Sequence, residues 1–261
     1  MTVPPYPPGR GLLEGKIVLV TAAAGTGIGF SAAQRMVEEG ATIVVSDRHE
    51  RRLAETAEKL AALTGSADEA PLAIPCDVTN EAAVQRLIDG VVERHGRLDV
   101  LINNAGLGGT AEVHEMTDDQ WAKVLDVTLT ATFRVTRAAL KVFYAQGSGV
   151  IVNNASVLGW RAQAGQAHYA AAKAGVMAFT RCVAMEAAPR GVRINAVAPS
   201  LAMHANLAKV TDDDLLATLT SREAFGRAAE PWEIATVMAF LASDYSTYLT
   251  GEVVSVSSQH A

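Results

Sequence analysis

The sequence is poor in the features that mark several large classes of protein. It has only two cysteines in 261 residues, Cys76 and Cys182. They are far apart and belong to no metal-spaced cluster, so neither a disulfide framework nor a structural metal site is expected. Both read as buried small apolar residues in a reducing compartment. Aromatics make up 5% of the chain and charged residues 19%. Basic residues do not dominate: 22 Lys and Arg stand against 28 Asp and Glu, a net charge of -6. That balance argues against a surface built for nucleic acid or an anionic membrane. A small anionic substrate stays open, because it would meet a local field. No apolar run is long enough to span a bilayer. Residues 1–11 hold Pro4, Pro5, Pro7 and Pro8, lack the apolar core of a secretory signal, and read as a flexible arm. A soluble cytoplasmic protein is expected.

What is present is small and β-branched. Hydrophobic residues make up 49% of the chain, with Ala and Val plentiful, which suits strands covered on both faces. Strand-like runs fall at Lys16–Thr21, Ala41–Ser46, Pro71–Cys76, Leu98–Asn103, Val150–Asn154, Arg193–Ala198 and Glu252–Val256. Helical periodicity separates them at Ile28–Glu39, Glu50–Leu63, Glu81–His95, Asp118–Ala145 and His168–Ala188. Shorter helices are expected at Asp212–Ser221 and Pro231–Ala242. This alternation predicts an α/β fold over residues 12–261: one Rossmann-type domain with a doubly wound parallel sheet of about seven strands. Residues 200–225 are the least regular and read as a lid.

The first strand runs into a glycine-rich turn containing Thr21, Gly25, Thr26, Gly27, Ile28 and Gly29. Glycines let backbone approach a pyrophosphate, and the following helix offers free N–H groups and a favourable dipole. Asp47 stands just past the second strand, where a carboxylate can grip the adenosine ribose and repel an extra phosphate. Arg48 follows and would favour that phosphate. NAD(H) is favoured and NADP(H) is not excluded.

Tyr169 and Lys173 are four apart at the start of a helix, so they share one face. A tyrosine titrates near ~10 and needs nearby positive charge to act as a base at neutral pH. Lys173 and an oxidised nicotinamide can both supply it. Ser156 ends the fifth strand, where its hydroxyl can hold a substrate oxygen.

The chain order of the glycine turn, Asn103-Asn104-Ala105-Gly106, Ser156, Tyr169 and Lys173 resembles the short-chain dehydrogenase/reductase family. The likeness covers nearly all of the chain after the arm. The resemblance implies hydride transfer between a nicotinamide and a hydroxy/keto substrate. It gives Tyr169 the proton, Lys173 the nicotinamide ribose and the lowering of the Tyr169 pKa, and Ser156 the orientation of substrate. It also implies cofactor contacts at Asp77, Val78, Asn104, Ala105, Gly106 and Pro199. The helices Asp118–Ala145 and His168–Ala188 resemble those that pair between subunits, so a homotetramer is expected.

Several positions depart from the family. The glycine turn is one residue longer than usual, with Ala22 after the threonine. Thr128 replaces an asparagine that holds a water of the proton relay. Two readings stand there: a modified relay, or a plain helix-core threonine. Pro199-Ser200 replaces Pro-Gly, and the usual terminal Gly-Gly is missing. His204 reads as a substrate ligand, a titrating group or a lid residue. Leu158, Trp160, Arg161, Gln163, Gln166 and His168 lie between the catalytic serine and tyrosine, where the family lines its substrate cleft. These variants resemble members acting on bulky alicyclic or steroid-derived compounds, some carried as coenzyme A thioesters, beside 3-oxoacyl-thioester reductases. A protein that binds NAD without turnover, as a sensor or scaffold, is the alternative.

Overall fold

The computed structural model describes residues 2–64, 71–203 and 213–258. Its strands are β1 (Ile17–Thr21), β2 (Thr42–Asp47), β3 (Leu72–Pro75), β4 (Val100–Asn103), β5 (Gly149–Asn154), β6 (Val192–Pro199) and β7 (Val253–Val256). They form one sheet in the order β3-β2-β1-β4-β5-β6-β7, with every pairing parallel. The connecting helices are α1 (Ile28–Glu38), α2 (Glu50–Ala61), α3 (Glu81–His95), α4 (Asp118–Leu125), α5 (Ala131–Gln146), α6 (Ala167–Ala187), α7 (Asp213–Ser221) and α8 (Pro231–Ala242). The chain winds outward from β1 to β3, then returns to β4 beside β1. That reversal opens a crevice at the C-terminal ends of β1 and β4, the place where doubly wound sheets hold ligands.

Side-chain alternation divides the core between the two faces. Val18 and Val20 of β1 join α1 and α8 residues such as Met36 and Met238, while Leu19 packs with Leu87, Val91 and Phe143 of α3 and α5. Both faces of the central strands are covered, which is why those strands read as continuous apolar runs.

Two expectations need correction and one is refined. The helix expected at Asp118–Ala145 is present and continuous: a capping box of Thr117 and Gln120 starts it at α4, and a π-helical turn at Asp126–Thr130 joins α4 to α5. Cys182 is not buried. It is exposed on α6, whereas Cys76 is buried and both thiols are free. The Pro-rich arm is tied down rather than loose. Arg35 donates to the carbonyl oxygens of Pro7 (2.6 Å) and Pro8 (3.3 Å) and pairs with buried Glu39. Glu39 also accepts from the N–H groups of Arg10 (2.8 Å) and Leu12 (3.1 Å). Burial pushes the Glu39 carboxyl up, but these donors and Arg35 outweigh it and hold it below its ordinary value. Tyr6 hydrogen-bonds Glu38 and packs edge-on to Trp232 with ring centroids 5.2 Å apart. Gly9 permits this path, since a Cβ there would stand 2.0 Å from the Glu38 oxygen.

The expected lid falls partly outside the described residues, and His204 lies there with it. Its base is described: Ala202 and Ala229 form a bridge, and Glu223 accepts from Ser258 Oγ at 2.7 Å. Among the described residues no helix is long and apolar enough to cross a membrane.

Candidate active site

A cleft of about 430 Å³ opens where the topology places it. Its floor is the turn from β1 into α1. Gly27 caps α1 without a side-chain hydrogen bond, and the first turn holds no acidic residue. The free N–H groups there present an anion-binding end that fits a pyrophosphate. Gly29 is required by close approach: a Cβ would stand 2.3 Å from the Ala22 oxygen and 2.4 Å from Asn104 Nδ2. Ala22 has φ 50, a left-handed conformation that its Cβ resists.

The lengthened turn leans outward on two side chains. Ala24 N donates to Asp47 Oδ2 at 3.2 Å, and Gly25 N donates to buried Thr56 Oγ1 at 3.4 Å. Asp47 Oδ1 accepts from His49 N at 2.9 Å. The carboxylate is therefore fixed at the cleft wall, beside Arg48, His49 and Arg52. Asp77 and Val78 line the same end. Thr79 holds the Asp77 carboxyl below its ordinary value through two hydrogen bonds.

Thr26, Gly27, Ile28, Gly29, Asn104, Ala105, Gly106, Tyr169 and Lys173 also line the cleft. Thr21, Gly25, Thr128, Ser156 and Pro199 do not, and their roles differ. Thr21 Oγ1 is buried and accepts from the N–H groups of Asn104 (3.0 Å) and Ala105 (3.3 Å). It shapes the cleft wall from behind. Asn103 faces away from the cleft, joining Asn153 and Thr136, and Asn153 continues to Thr180. Thr128 belongs to the π-turn. Its hydroxyl accepts from Leu107 N at 3.0 Å and donates to Leu107 O at 3.2 Å.

Behind the cleft lining, the Ser156 hydroxyl bonds the phenol of Tyr169. Lys173 Nζ lies 5.5 Å from the Tyr169 ring centroid and donates to Asn154 O at 2.5 Å. Burial raises the phenol to about 12, against the lowering effect of Ser156. Burial alone lowers Lys173 to about 8. The direction at Tyr169 is opposite to that expected from Lys173.

The substrate side is only partly what the sequence suggests. Trp160 is 51% exposed and does not line the cleft. Leu158 N donates to Ser156 Oγ at 3.2 Å, helping to orient that hydroxyl. The Gln166 amide is engaged with Thr110 Oγ1 at 3.1 Å, and His168 is buried. Asn154, Thr56, His49 and Arg52 were missed by sequence reasoning. None belongs to a recognisable motif, and each matters through a neighbour distant in the chain. A second hollow, of about 600 Å³, sits at the N-terminal ends of the central strands, near Lys16, Arg97 and Arg193. It has neither the glycine turn nor the tyrosine, so the chemistry belongs to the smaller cleft.

The fold and this cleft define a dinucleotide-binding oxidoreductase. The family profile described as Enoyl-(Acyl carrier protein) reductase matches residues 22–258. The chain belongs to the short-chain dehydrogenase/reductase family, whose members use nicotinamide cofactors. It is 64% identical over 254 residues to a (5R,7aS)-5-hydroxy-7a-methyl-1-oxo-2,3,5,6,7,7a-hexahydro-1H-indene-carboxyl-CoA reductase of Mycobacterium tuberculosis, covering 97% of this chain and 95% of that one. It is 38% identical to cis-4-hydroxycyclohexanecarboxylate dehydrogenase of Sinomonas cyclohexanicum, covering 92% and 94%. Among solved structures, a short chain dehydrogenase from Mycobacterium smegmatis is similar with a TM-score of 0.88 and 59% identity, covering 100% and 99%. The chain is thus an oxidoreductase acting on hydroxy or keto groups.

Proposed function

We propose that this enzyme moves hydride between NAD(H) and a ring hydroxy/keto compound carried as a coenzyme A thioester, with Tyr169 as the acid and base. The observation that carries the reading is the pairing of Tyr169 and Lys173 in the cleft lining, with the Ser156 hydroxyl bonded to the phenol. When bound, the nicotinamide supplies or accepts the hydride. In reduction the carbonyl carbon takes the hydride and Tyr169 gives its proton to the oxygen; oxidation reverses both transfers. Ser156 holds and polarises that oxygen. Lys173 holds the nicotinamide ribose and sustains positive charge beside the phenol. Burial by itself favours the protonated phenol, the form needed to reduce a ketone.

The preference for NAD(H) follows from Asp47. Its carboxylate is pinned by two main-chain donors at the adenosine end and would meet a 2′-phosphate with like charge. Arg48 and Arg52 line the same region, so the discrimination is set by which charge stands nearer. The substrate class follows from the relatives named above, both of which act on hydroxylated rings. The homotetramer rests on the exposed small residues of α6, including Ala171, Ala178 and Cys182.

The test is nicotinamide absorbance with cyclic ketones, alicyclic alcohols and their coenzyme A thioesters, under NADH and NADPH in turn. Turnover should be highest with NADH and a ring thioester. Tight NADH binding without turnover on any of these compounds would overturn the reading and return the sensor alternative.

A further inference from the structure

Asn154 ends β5 and has no part in the reaction described above, yet its polar groups join two halves of the site. Its Nδ2 donates to Asn104 Oδ1 at 2.9 Å. Asn104 Nδ2 in turn donates to the main-chain oxygens of Thr21 (3.3 Å) and Ala22 (3.0 Å), at the start of the phosphate turn. The Asn154 main-chain oxygen accepts from Lys173 Nζ at 2.5 Å. A continuous chain of hydrogen bonds therefore runs from the phosphate turn, through Asn104 and Asn154, to the lysine.

The amide orientations are determined by chemistry. The Thr21 and Ala22 carbonyls can only accept, so Asn104 must turn its NH₂ toward them and its oxygen toward Asn154. Asn154 must then present its own NH₂, which leaves its Oδ1 buried without a partner. An unpaired buried acceptor is costly, and an apolar side chain at this position would avoid that cost. The bond to Lys173 uses main chain, which any residue provides. What needs an asparagine is the link to Asn104.

We propose that Asn154 is a positioning residue that couples the phosphate turn to Lys173, so that the turn's conformation sets where the ammonium stands beside Tyr169. The proposal rests on the oxidoreductase reading. Thr128, at the position where a relay group is expected, is otherwise engaged. Its hydroxyl gives its single proton to Leu107 O and accepts from Leu107 N, and its carbonyl accepts from Thr132 Oγ1 at 2.8 Å.

The experiment uses Asn154→Leu, Asn104→Leu and the double variant in the full chain. NADH affinity is read by fluorescence without substrate, and the pH midpoint of alcohol oxidation by nicotinamide absorbance. Asn154→Leu should weaken NADH at least about fivefold. It should also move the midpoint upward, because a less firmly held ammonium favours the phenolate less. The double variant should bind NADH about as weakly as the weaker single one, since both substitutions break one link. Losses that multiply, or parental affinity and midpoint in Asn154→Leu, would overturn the proposal. Thermal melting reports folding; should Asn154→Leu fail to fold, Asn154→Thr, which keeps a donor, takes its place in the cycle. A parent protein that neither binds NADH nor oxidises an alcohol would sink the oxidoreductase reading itself. An active parent with indifferent Asn154 variants would sink only the coupling.

Discussion

At Tyr169 two protein effects oppose each other: burial raises the phenol to about 12, and the Ser156 hydroxyl pulls it down. Tyr169→Phe removes the transferable proton and keeps the ring. It should lower kcat by about 10²–10⁴-fold while NADH still binds, as fluorescence would show. Lys173 carries the opposite burden, being held at about 8 against an ordinary 10.5. Between those values the unfolded chain keeps a proton that the folded chain releases. The group's contribution to stability is thus present above 10.5 and is lost as pH falls through 8. Lys173→Met removes the penalty. At neutral pH it should raise the unfolding free energy by roughly 1–3 kcal/mol and abolish turnover. Equal or lower stability by denaturant melting would contradict this sign. At Asp47, replacement by Ala should improve kcat/KM with NADPH relative to NADH by at least about 10-fold, because a fixed like charge is lost. The same variant should weaken NADH as well, since Ala24 loses its acceptor.

Among the elements, the π-turn that joins α4 to α5 reaches the cleft through Val127. A π-turn is a strained departure from helix, and such turns cluster at functional sites. Here it carries Thr128 to Leu107, which follows the Asn104-Ala105-Gly106 wall of the cleft. Thr128→Val keeps the shape and removes the hydroxyl, leaving the Leu107 N–H without its acceptor. A loss of about 1–3 kcal/mol in stability is expected, with weaker NADH binding, by melting and titration. A variant with parental stability would show that the clamp contributes nothing. Sequence periodicity could not reveal the turn, because Asp118–Ala145 keeps a helical pattern across it. What the turn's Thr128 bonds is a residue 21 positions away.

Across the whole molecule, the arm reaches the start of α8, near the described bridge between Ala202 and Ala229. Tyr6 packs on Trp232, close to Ala229, which bridges to Ala202 at the lid base. Deleting residues 1–11 strips Arg35 and Glu39 of main-chain partners in a buried ion pair, and hydrogen bonds to charged groups are worth about 1.5–3 kcal/mol each. For a chain of this size the melting temperature should fall by roughly 6 °C or more. An unchanged melt would show that water replaces those partners at no cost. Light scattering tests the expected tetramer; a monomer at assay concentration would show the α6 face to be surface only.

The sequence by itself determined the layered architecture, the glycine turn, and the positions of Ser156, Tyr169 and Lys173. These depend on local rules: β-branched runs make covered strands, glycine permits close approach, and residues four apart share a helical face. Tertiary structure decided which polar groups remain available once the chain has closed. It turned Thr21 toward Asn104, spent Thr128 on Leu107 and Gln166 on Thr110, and pinned the arm through Arg35. It also set the direction in which Tyr169 titrates. Hydrogen bonds and desolvation depend on neighbours brought together from distant parts of the chain, so no local pattern records them.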